Sequence, residues 1–194
     1  CSLVRVTLFN RRCVGSQLNK ENQELLFEKL DLCISRTIEL YGARRLEGEE
    51  GVLYFEIQSA EFSKKHLLAC MMCMYAMRQL LYNLASKMGI ELRVGFTACG
   101  NTIATAPTFH YQEQVYDLKK LSTRLSKKLE SGAISIFTDG FSCDQLSTIA
   151  VLSKSDDNFF IFKAFPPNRQ DLMEKQIQYL EDVCLSHTAV THSS

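Results

Sequence analysis

The sequence predicts an α+β sandwich in which helices pack on one face of a mostly antiparallel sheet. Short runs that alternate apolar and polar residues, or that are rich in β-branched and aromatic residues, recur along the 194 residues and are typical of strands. Longer segments with apolar residues at helical spacing lie between them. Because several strands follow one another without an intervening helix, the order favours antiparallel pairing over a parallel sheet.

The strands are predicted from local patterns. Residues 3–9 alternate between apolar and polar side chains. Residues 44–46 and 52–57 form a predicted hairpin, because the second run is rich in β-branched and aromatic residues and the turn between them is short. Further strands are predicted at 90–96, 133–137 and 159–162, with another candidate at 101–108.

The helices are predicted from apolar residues at every third or fourth position. Gly42, Gly89 and Gly132 follow three of them, and glycine is favoured just beyond a helix end. The predicted helices cover 26–41, 59–87, 115–129, 143–147 and 171–185. With the strands, the longer elements give a ferredoxin-like βαββαβ order.

Two consecutive prolines, Pro166 and Pro167, divide the predicted organisation. Residues 1–165 contain the sandwich, and a single domain of this size buries about 70% of the surface that its unfolded chain exposes. Residues 166–194 are predicted to form an appended helix and a polar tail.

Composition argues against several classes of function. The chain has 22 basic and 22 acidic residues, so it has no bulk positive field to attract nucleic acid. Its longest uncharged apolar stretch, 67–77, is shorter than the roughly 20 residues of a membrane helix. The eight cysteines show no regular framework. We therefore expect a reduced, cytoplasmic domain that does not itself insert into a membrane, although a larger membrane-associated signalling protein can carry it.

Three local runs carry a family resemblance. Leu-Arg-Val-Gly-Phe stands at 92–96, Leu-Ser-Thr-Arg-Leu at 121–125 and Leu-Glu-Ser-Gly-Ala-Ile-Ser-Ile at 129–136. In that order, these runs resemble the L-R-V-G-I strand, the V-N-x-A-x-R-L helix and the L-E-S…G-x-I-x-V stretch of the class III nucleotide cyclase domain. The acidic glycine turn at 48–51 stands where that family carries its G-D-G turn. The resemblance to this catalytic module of adenylyl and guanylyl cyclases covers roughly residues 3–163.

The resemblance implies a cyclase-homology sandwich and a reaction. In this family the 3′-oxygen of a nucleoside triphosphate attacks its α-phosphate and releases pyrophosphate, and two carboxylates hold two divalent cations that assist. An Asn and an Arg from the partner subunit orient the ribose and stabilise the pentavalent phosphate, so the site forms between two domains. Activity would therefore require Mg²⁺ or Mn²⁺ with ATP or GTP, and the sequence leaves the choice of nucleotide open.

The metal positions that the resemblance implies are degenerate. The first carboxylate position falls on Asn10, whose neutral amide is a poor Mg²⁺ ligand. The second falls on Glu49 or Glu50, according to register, and glutamate keeps the charge on a longer side chain. A turn whose acidic residues only solubilise the hairpin is the alternative explanation for both glutamates.

Arg124 alone matches the implied nucleotide-contacting positions outright. Lys120 stands four residues earlier, where the family carries its Asn. The purine-reading Lys aligns with Arg45 or Leu46, and the purine-reading Asp aligns near Glu113. Arg124 is thus either a residual phosphate contact or a surface cation on an amphipathic helix.

These substitutions favour a catalytically degenerate cyclase-like domain with no resident cofactor. We expect it to act as a regulatory or structural dimerisation module in cyclic-nucleotide signalling, pairing with itself or with another cyclase-like domain. Phe109 and Tyr111 are the predicted partner-facing aromatic residues, and a solvated loop is the alternative for that segment. Two other hypotheses stay open: a half-site cyclase domain that completes an active heterodimer, and a generic ferredoxin-like protein-binding module.

Overall fold

A computed structural model describes residues 2–16, 18–57, 64–100, 111–138, 141–156 and 158–186, which form seven strands and six helices. The strands are β1 (Ser2–Leu8), β2 (Arg44–Leu46), β3 (Val52–Ile57), β4 (Val94–Gly100), β5 (Ile134–Thr138), β6 (Val151–Asp156) and β7 (Phe159–Ala164). The helices are α1 (Arg11–Ser16), α2 (Lys20–Leu40), α3 (Lys64–Lys87), α4 (Tyr111–Ser126), α5 (Cys143–Ser147) and α6 (Pro167–Cys184).

The strands form one sheet in the order β2-β3-β1-β4-β5-β7-β6. Every neighbouring pair is antiparallel except β4 and β5, which are parallel. The predicted α+β fold with a mostly antiparallel sheet is therefore confirmed. Thr7 pairs with Val52 of β3 and Leu8 pairs with Val94 of β4, so the end of β1 lies between the start of β3 and the start of β4.

The main hydrophobic core lies between the sheet and α2, α3 and α6. The buried side of α3 carries Met71, Met74 and Met77, which are fully shielded from solvent. Methionine is unbranched and fills irregular gaps between a helix and a twisted sheet. The α6 helix contributes Met173 and Leu180 to the same core. Among the described helices, none combines the length and the hydropathy needed to cross a bilayer.

The α4 helix packs on the opposite face of the sheet from α2, α3 and α6. Leu118 and Leu125 of α4 form a second, smaller core with Leu3 and Tyr54. The sequence pattern predicts helices on one face only. The position of α4 differs because both sets of alternating side chains on β1 are buried, so the sheet needs cover on both faces.

Several element boundaries differ from the sequence predictions. The β4 strand begins at Val94 rather than at residue 90, because residues 90–93 form the loop that the side chain of Asn10 binds. The β6 strand was not predicted, since it is an edge strand whose residues are mostly exposed and do not alternate. The short α1 helix was not predicted either. The candidate strand at 101–108 lies outside the described residues.

Candidate functional site

The predicted metal positions meet where β1 ends beside the turn of the β2–β3 hairpin. The backbone N–H of Leu8 donates to the carbonyl oxygen of Gly51 at 2.9 Å, which holds the end of β1 against the turn. The backbone N–H of Phe9 donates to the carbonyl oxygen of Arg93 at 2.8 Å, on the other side. The residues that follow β1 therefore lie between the hairpin turn and the loop before β4.

Asn10 is held by the loop before β4. Its Nδ2 donates to the carbonyl oxygen of Glu91 at 2.8 Å, and its Oδ1 accepts from the backbone N–H of Arg93 at 2.8 Å. The side-chain amide thus supplies the hydrogen-bond partners of two backbone groups, the carbonyl of Glu91 and the N–H of Arg93, in place of a neighbouring strand. Asn10, which the family resemblance assigns to a metal ligand, instead joins the end of β1 to the loop before β4.

The two glutamates of the hairpin turn lie in different clefts. Glu50 and Asn10 line the same cleft, of about 400 Å³, at the end of β1. Glu49 lines a neighbouring cleft of about 370 Å³ between the hairpin and α2. Arg45 also lines that second cleft, where it pairs with Asp31 at 2.5 Å. Of the two glutamates, Glu50 lines the cleft that Asn10 also lines, and Glu49 does not.

The side chains at the end of β1 do not fit a pair of divalent cations. Magnesium prefers several charged or carbonyl oxygens in octahedral geometry. Asn10 offers one neutral oxygen that already accepts a hydrogen bond, and Glu50 is one carboxylate. Across the described parts of the chain, no group of three or more His, Cys, Asp or Glu side chains is arranged to hold a metal ion.

Three positions that the family resemblance assigns to nucleotide contacts, Glu113, Lys120 and Arg124, lie on the exposed side of α4. Arg124 and Glu113 are exposed, and Arg124 makes no hydrogen bond or ion pair with any residue that the structure describes. The ammonium of Lys120 lies over the ring of Tyr116, 4.7 Å from its centroid. None of these α4 side chains lines either cleft beside the hairpin, so one copy of the domain does not bring them together with Asn10 and Glu50.

A buried arginine under α4 was not predicted. Arg5 of β1 is only 8% exposed, and its Nη1 donates to Tyr54 Oη at 2.7 Å and to Thr123 Oγ1 at 2.5 Å. Its Nε donates to Thr7 Oγ1 at 3.1 Å. These neutral acceptors join β1, β3 and α4. The alternating pattern of β1 places Arg5 on the face opposite Val4 and Val6, and no local pattern indicates that α4 covers that face.

A second polar cluster ties the start of α4 to the edge of the sheet. Glu56 of β3 is fully buried, and its carboxylate accepts from Arg44 Nε at 2.7 Å and from the hydroxyl of Tyr111. Arg44 Nη2 also donates to the Tyr111 oxygen at 2.9 Å. Burial and the hydrogen bond to Glu56 raise the pKa of Tyr111.

This cluster changes the interpretation of Tyr111. The sequence predicts a partner-facing aromatic residue, and the structure places its hydroxyl in a hydrogen-bond cluster within the domain. The ring is only partly covered, so the side chain has an internal polar contact and a surface that remains accessible. Phe109, the other predicted interface residue, lies outside the described residues.

Comparison with known proteins identifies the class of fold. No protein-family model and no curated protein sequence matches the chain. Solved structures do match, and adenylyl and guanylyl cyclase domains are among them. Their sequence identities are below 25%, so the similarity establishes the fold: the chain has the architecture of the class III nucleotide cyclase catalytic domain.

Three of these structures illustrate the extent of the match. The monomeric guanylyl cyclase domain of the RhoGC fusion protein from the aquatic fungus Blastocladiella emersonii has a TM-score of 0.60 at 10% identity, over 85% of this chain and 95% of that domain. The adenylyl cyclase CyaB from P. aeruginosa has 0.59 at 16% identity, over 86% and 94%. The guanylate cyclase domain of RhGC from Catenaria anguillulae, in complex with GTP, has 0.57 at 11% identity, over 85% and 96%.

Proposed function

We propose that the chain is a catalytically degenerate nucleotide-cyclase-like domain that acts as a regulatory or structural dimerisation module in cyclic-nucleotide signalling. One observation carries the proposal. At the end of β1, where the resemblance implies an anionic metal ligand, Asn10 uses its amide to bind the backbone at Glu91 and Arg93. A side chain in that role contributes neither the charge nor a free oxygen that a magnesium ion requires.

The α4 helix supports the same proposal. At the position of the ribose-orienting Asn, Lys120 carries a long cationic side chain that lies over Tyr116. A lysine ammonium donates hydrogen bonds but accepts none, whereas an amide does both, so Lys120 cannot make the same hydrogen bonds to a ribose as an asparagine. Arg124 retains the charge that would stabilise a phosphate, but it has no second matching group beside it.

The proposal predicts that the chain alone makes no cyclic nucleotide. Loss of a metal ligand and of a transition-state contact typically reduces the rate by about 10²-fold or more each. The measurement is cyclic AMP and cyclic GMP formation from ATP or GTP with Mg²⁺ or Mn²⁺. Product that disappears in Arg124→Ala but persists in the matched surface variant Lys127→Ala would contradict the proposal.

A half-site cyclase domain is the second candidate function. The exposed guanidinium of Arg124, which has no ion-pair partner among the described residues, favours it because such a group is available to a nucleotide held by another domain. A complementation assay separates the two functions. The partner should be a cyclase domain that keeps both metal carboxylates but has alanine at its own counterpart of Arg124. Restored activity would support the half-site function, and its absence would support the degenerate module.

Dimer formation distinguishes the degenerate module and the half-site cyclase domain from a generic ferredoxin-like protein-binding module. We expect the chain to sediment as a dimer at micromolar concentration, or to pair with a cyclase-like domain. Because Tyr111 is used within the domain, Phe109→Ala is the cleaner test, and it should weaken pairing by about 2 kcal/mol, or roughly 30-fold in Kd. A chain that stays monomeric and binds no cyclase-like domain would leave only the generic module.

A further inference from the structure

The cleft between the β2–β3 hairpin and α2 has an apolar floor. Phe27, Leu30 and Ile34 line it from one face of α2, because residues three and seven positions apart share a face of a helix. Val6 of β1 and Leu53 of β3 line it from the sheet. Its volume of about 370 Å³ lies within the range of roughly 300–1,000 Å³ that is typical of small-molecule sites.

Two arginines line the same cleft, and they differ in their partners. Arg45 pairs with Asp31 at 2.5 Å, so its charge is matched within the domain. The guanidinium of Arg11 lies over the ring of Phe27, with its central carbon 5.4 Å from the ring centroid. Arg11 forms no ion pair or hydrogen bond with the residues that the structure describes, although it is half-buried.

The charge of Arg11 favours an anion in this cleft. A guanidinium has five N–H donors, and the ring of Phe27 contacts the cation without accepting those hydrogen bonds in the plane of the fork. Glu49 also lines the cleft, but it lies on the exposed hairpin turn, where water screens its charge. The half-buried cation therefore outweighs the exposed carboxylate. A planar carboxylate matches the guanidinium fork with two parallel hydrogen bonds.

We propose that this cleft binds a small amphipathic carboxylate, whose hydrocarbon chain lies on the apolar floor and whose carboxylate pairs with Arg11. Binding of this kind needs neither a metal ion nor a nucleotide, so it goes beyond the proposed dimerisation function and does not rest on it. The ligand contacts both α2 and the hairpin, and it therefore fixes the hairpin against the helix beside the end of β1.

A second cleft provides an internal comparison. It lies between α2 and α6, has a volume of about 460 Å³, and is lined by the exposed apolar side chains of Leu40, Tyr179 and Val183. Its arginine, Arg36, already pairs with Glu39 at 2.9 Å. Apolar surface is thus present in both clefts, but the unpaired half-buried cation is in the first. Arg36→Gln is therefore the matched control for Arg11→Gln.

The test is isothermal titration of the full chain with hexanoate, octanoate and decanoate at neutral pH, below their micelle concentrations. Each added CH₂ should lower the Kd about two- to fourfold, because it buries more apolar surface. Neutral 1-octanol should bind about tenfold more weakly than octanoate, because it lacks the charge-assisted hydrogen bonds. At ten times its Kd, octanoate should raise the Tm by about 3–6 °C.

Variants separate the charge from the apolar floor. Arg11→Gln should raise the Kd of octanoate about tenfold and leave that of 1-octanol unchanged. Glu49→Gln should lower the Kd of octanoate by up to about twofold, since it removes a screened repulsion. Leu53→Phe fills the cleft and should weaken both ligands. Arg36→Gln should change neither. The two glutamine substitutions in the first cleft replace polar side chains that are not fully buried, so they test the proposal even if Leu53→Phe disturbs folding.

Methyl chemical shifts locate the ligand, and octanoate should perturb Leu30, Ile34 and Leu53 most. The proposal would be overturned if no saturable binding were found, or if Arg11→Gln and Arg36→Gln affected octanoate equally. Shifts centred on Leu40 and Val183 would also overturn it, because they place the ligand in the second cleft. These measurements are made without nucleotide, and their failure would leave the cyclase and pairing experiments unaffected.

Discussion

The hydroxyl of Tyr111 gives the sharpest test of how α4 is held on the sheet. Tyr111→Phe removes one oxygen, which donates to the buried Glu56 and accepts from Arg44 at 2.9 Å, and it keeps the ring. A hydrogen bond to a charged group contributes about 1.5–3 kcal/mol. Glu56 keeps Arg44, whose side chain is 63% exposed and therefore screened by water, so we expect the lower end of that range. The free energy of unfolding should fall by about 1.5–2 kcal/mol, and the Tm by about 3–8 °C.

Urea denaturation at neutral pH measures this loss, and Tyr116→Phe provides the matched control. Tyr116 lies on the same helix, is 59% exposed, and its hydroxyl makes no hydrogen bond with the residues that the structure describes. Its substitution should change the free energy of unfolding by less than about 0.5 kcal/mol. Since burial and Glu56 raise the pKa of Tyr111, its hydroxyl stays protonated, and the difference between the two variants should be constant from about pH 6 to 9.

A double-mutant cycle identifies the acceptor. In a Glu56→Gln background the acceptor is a neutral amide, so Tyr111→Phe should cost less than in the natural sequence. The reasoning would be refuted if Tyr111→Phe and Tyr116→Phe were equally mild. It would also be refuted if the loss were the same with Glu56 and with Gln at that position.

Two further substitutions test polar contacts elsewhere in the domain. Asn10→Ala should lower the free energy of unfolding by about 1–2 kcal/mol in urea denaturation, since two hydrogen bonds to the backbone of Glu91 and Arg93 are lost; an unchanged midpoint would contradict the role given to this amide. Burial lowers the pKa of His66 below its ordinary 6.5, so the unfolded chain binds a proton more readily than the folded one. Stability should therefore fall as the pH drops from 6.5 toward the folded-state pKa, and His66→Gln should remove that part of the slope. Equal slopes for both proteins would show that His66 does not titrate on unfolding.

The sequence predicted the elements whose pattern is local and periodic. The long α3 helix was predicted from the spacing of its methionines and leucines, and β3 from a run of β-branched and aromatic residues. The edge strand β6 was not predicted, because an edge strand with solvent on most sides needs no apolar alternation.

The candidate site was predictable only in part. The resemblance to the cyclase family singled out Asn10 and the hairpin glutamates as the implied metal positions. The sequence did not decide whether Glu49 or Glu50 aligns with the second carboxylate. In the structure Glu50 lines the same cleft as Asn10, and Glu49 lines the neighbouring cleft. The contact between Arg5 and Thr123 joins residues more than a hundred positions apart, and no local pattern encodes such a pairing.

The hydrogen bonds of Asn10 limit what a single substitution at this position can achieve. Aspartate is nearly the same size as asparagine and would supply the anionic oxygen that a divalent cation requires. At neutral pH, however, it has no hydrogen to donate, so one of its oxygens would stand against the carbonyl oxygen of Glu91, where the amide nitrogen now lies at 2.8 Å. Either the carboxylate turns away and the loop before β4 loses its anchor, or two oxygens repel each other. Asn10→Asp would therefore weaken the fold before it bound any metal, and gaining a metal ligand here requires a compensating change at residues 91–93.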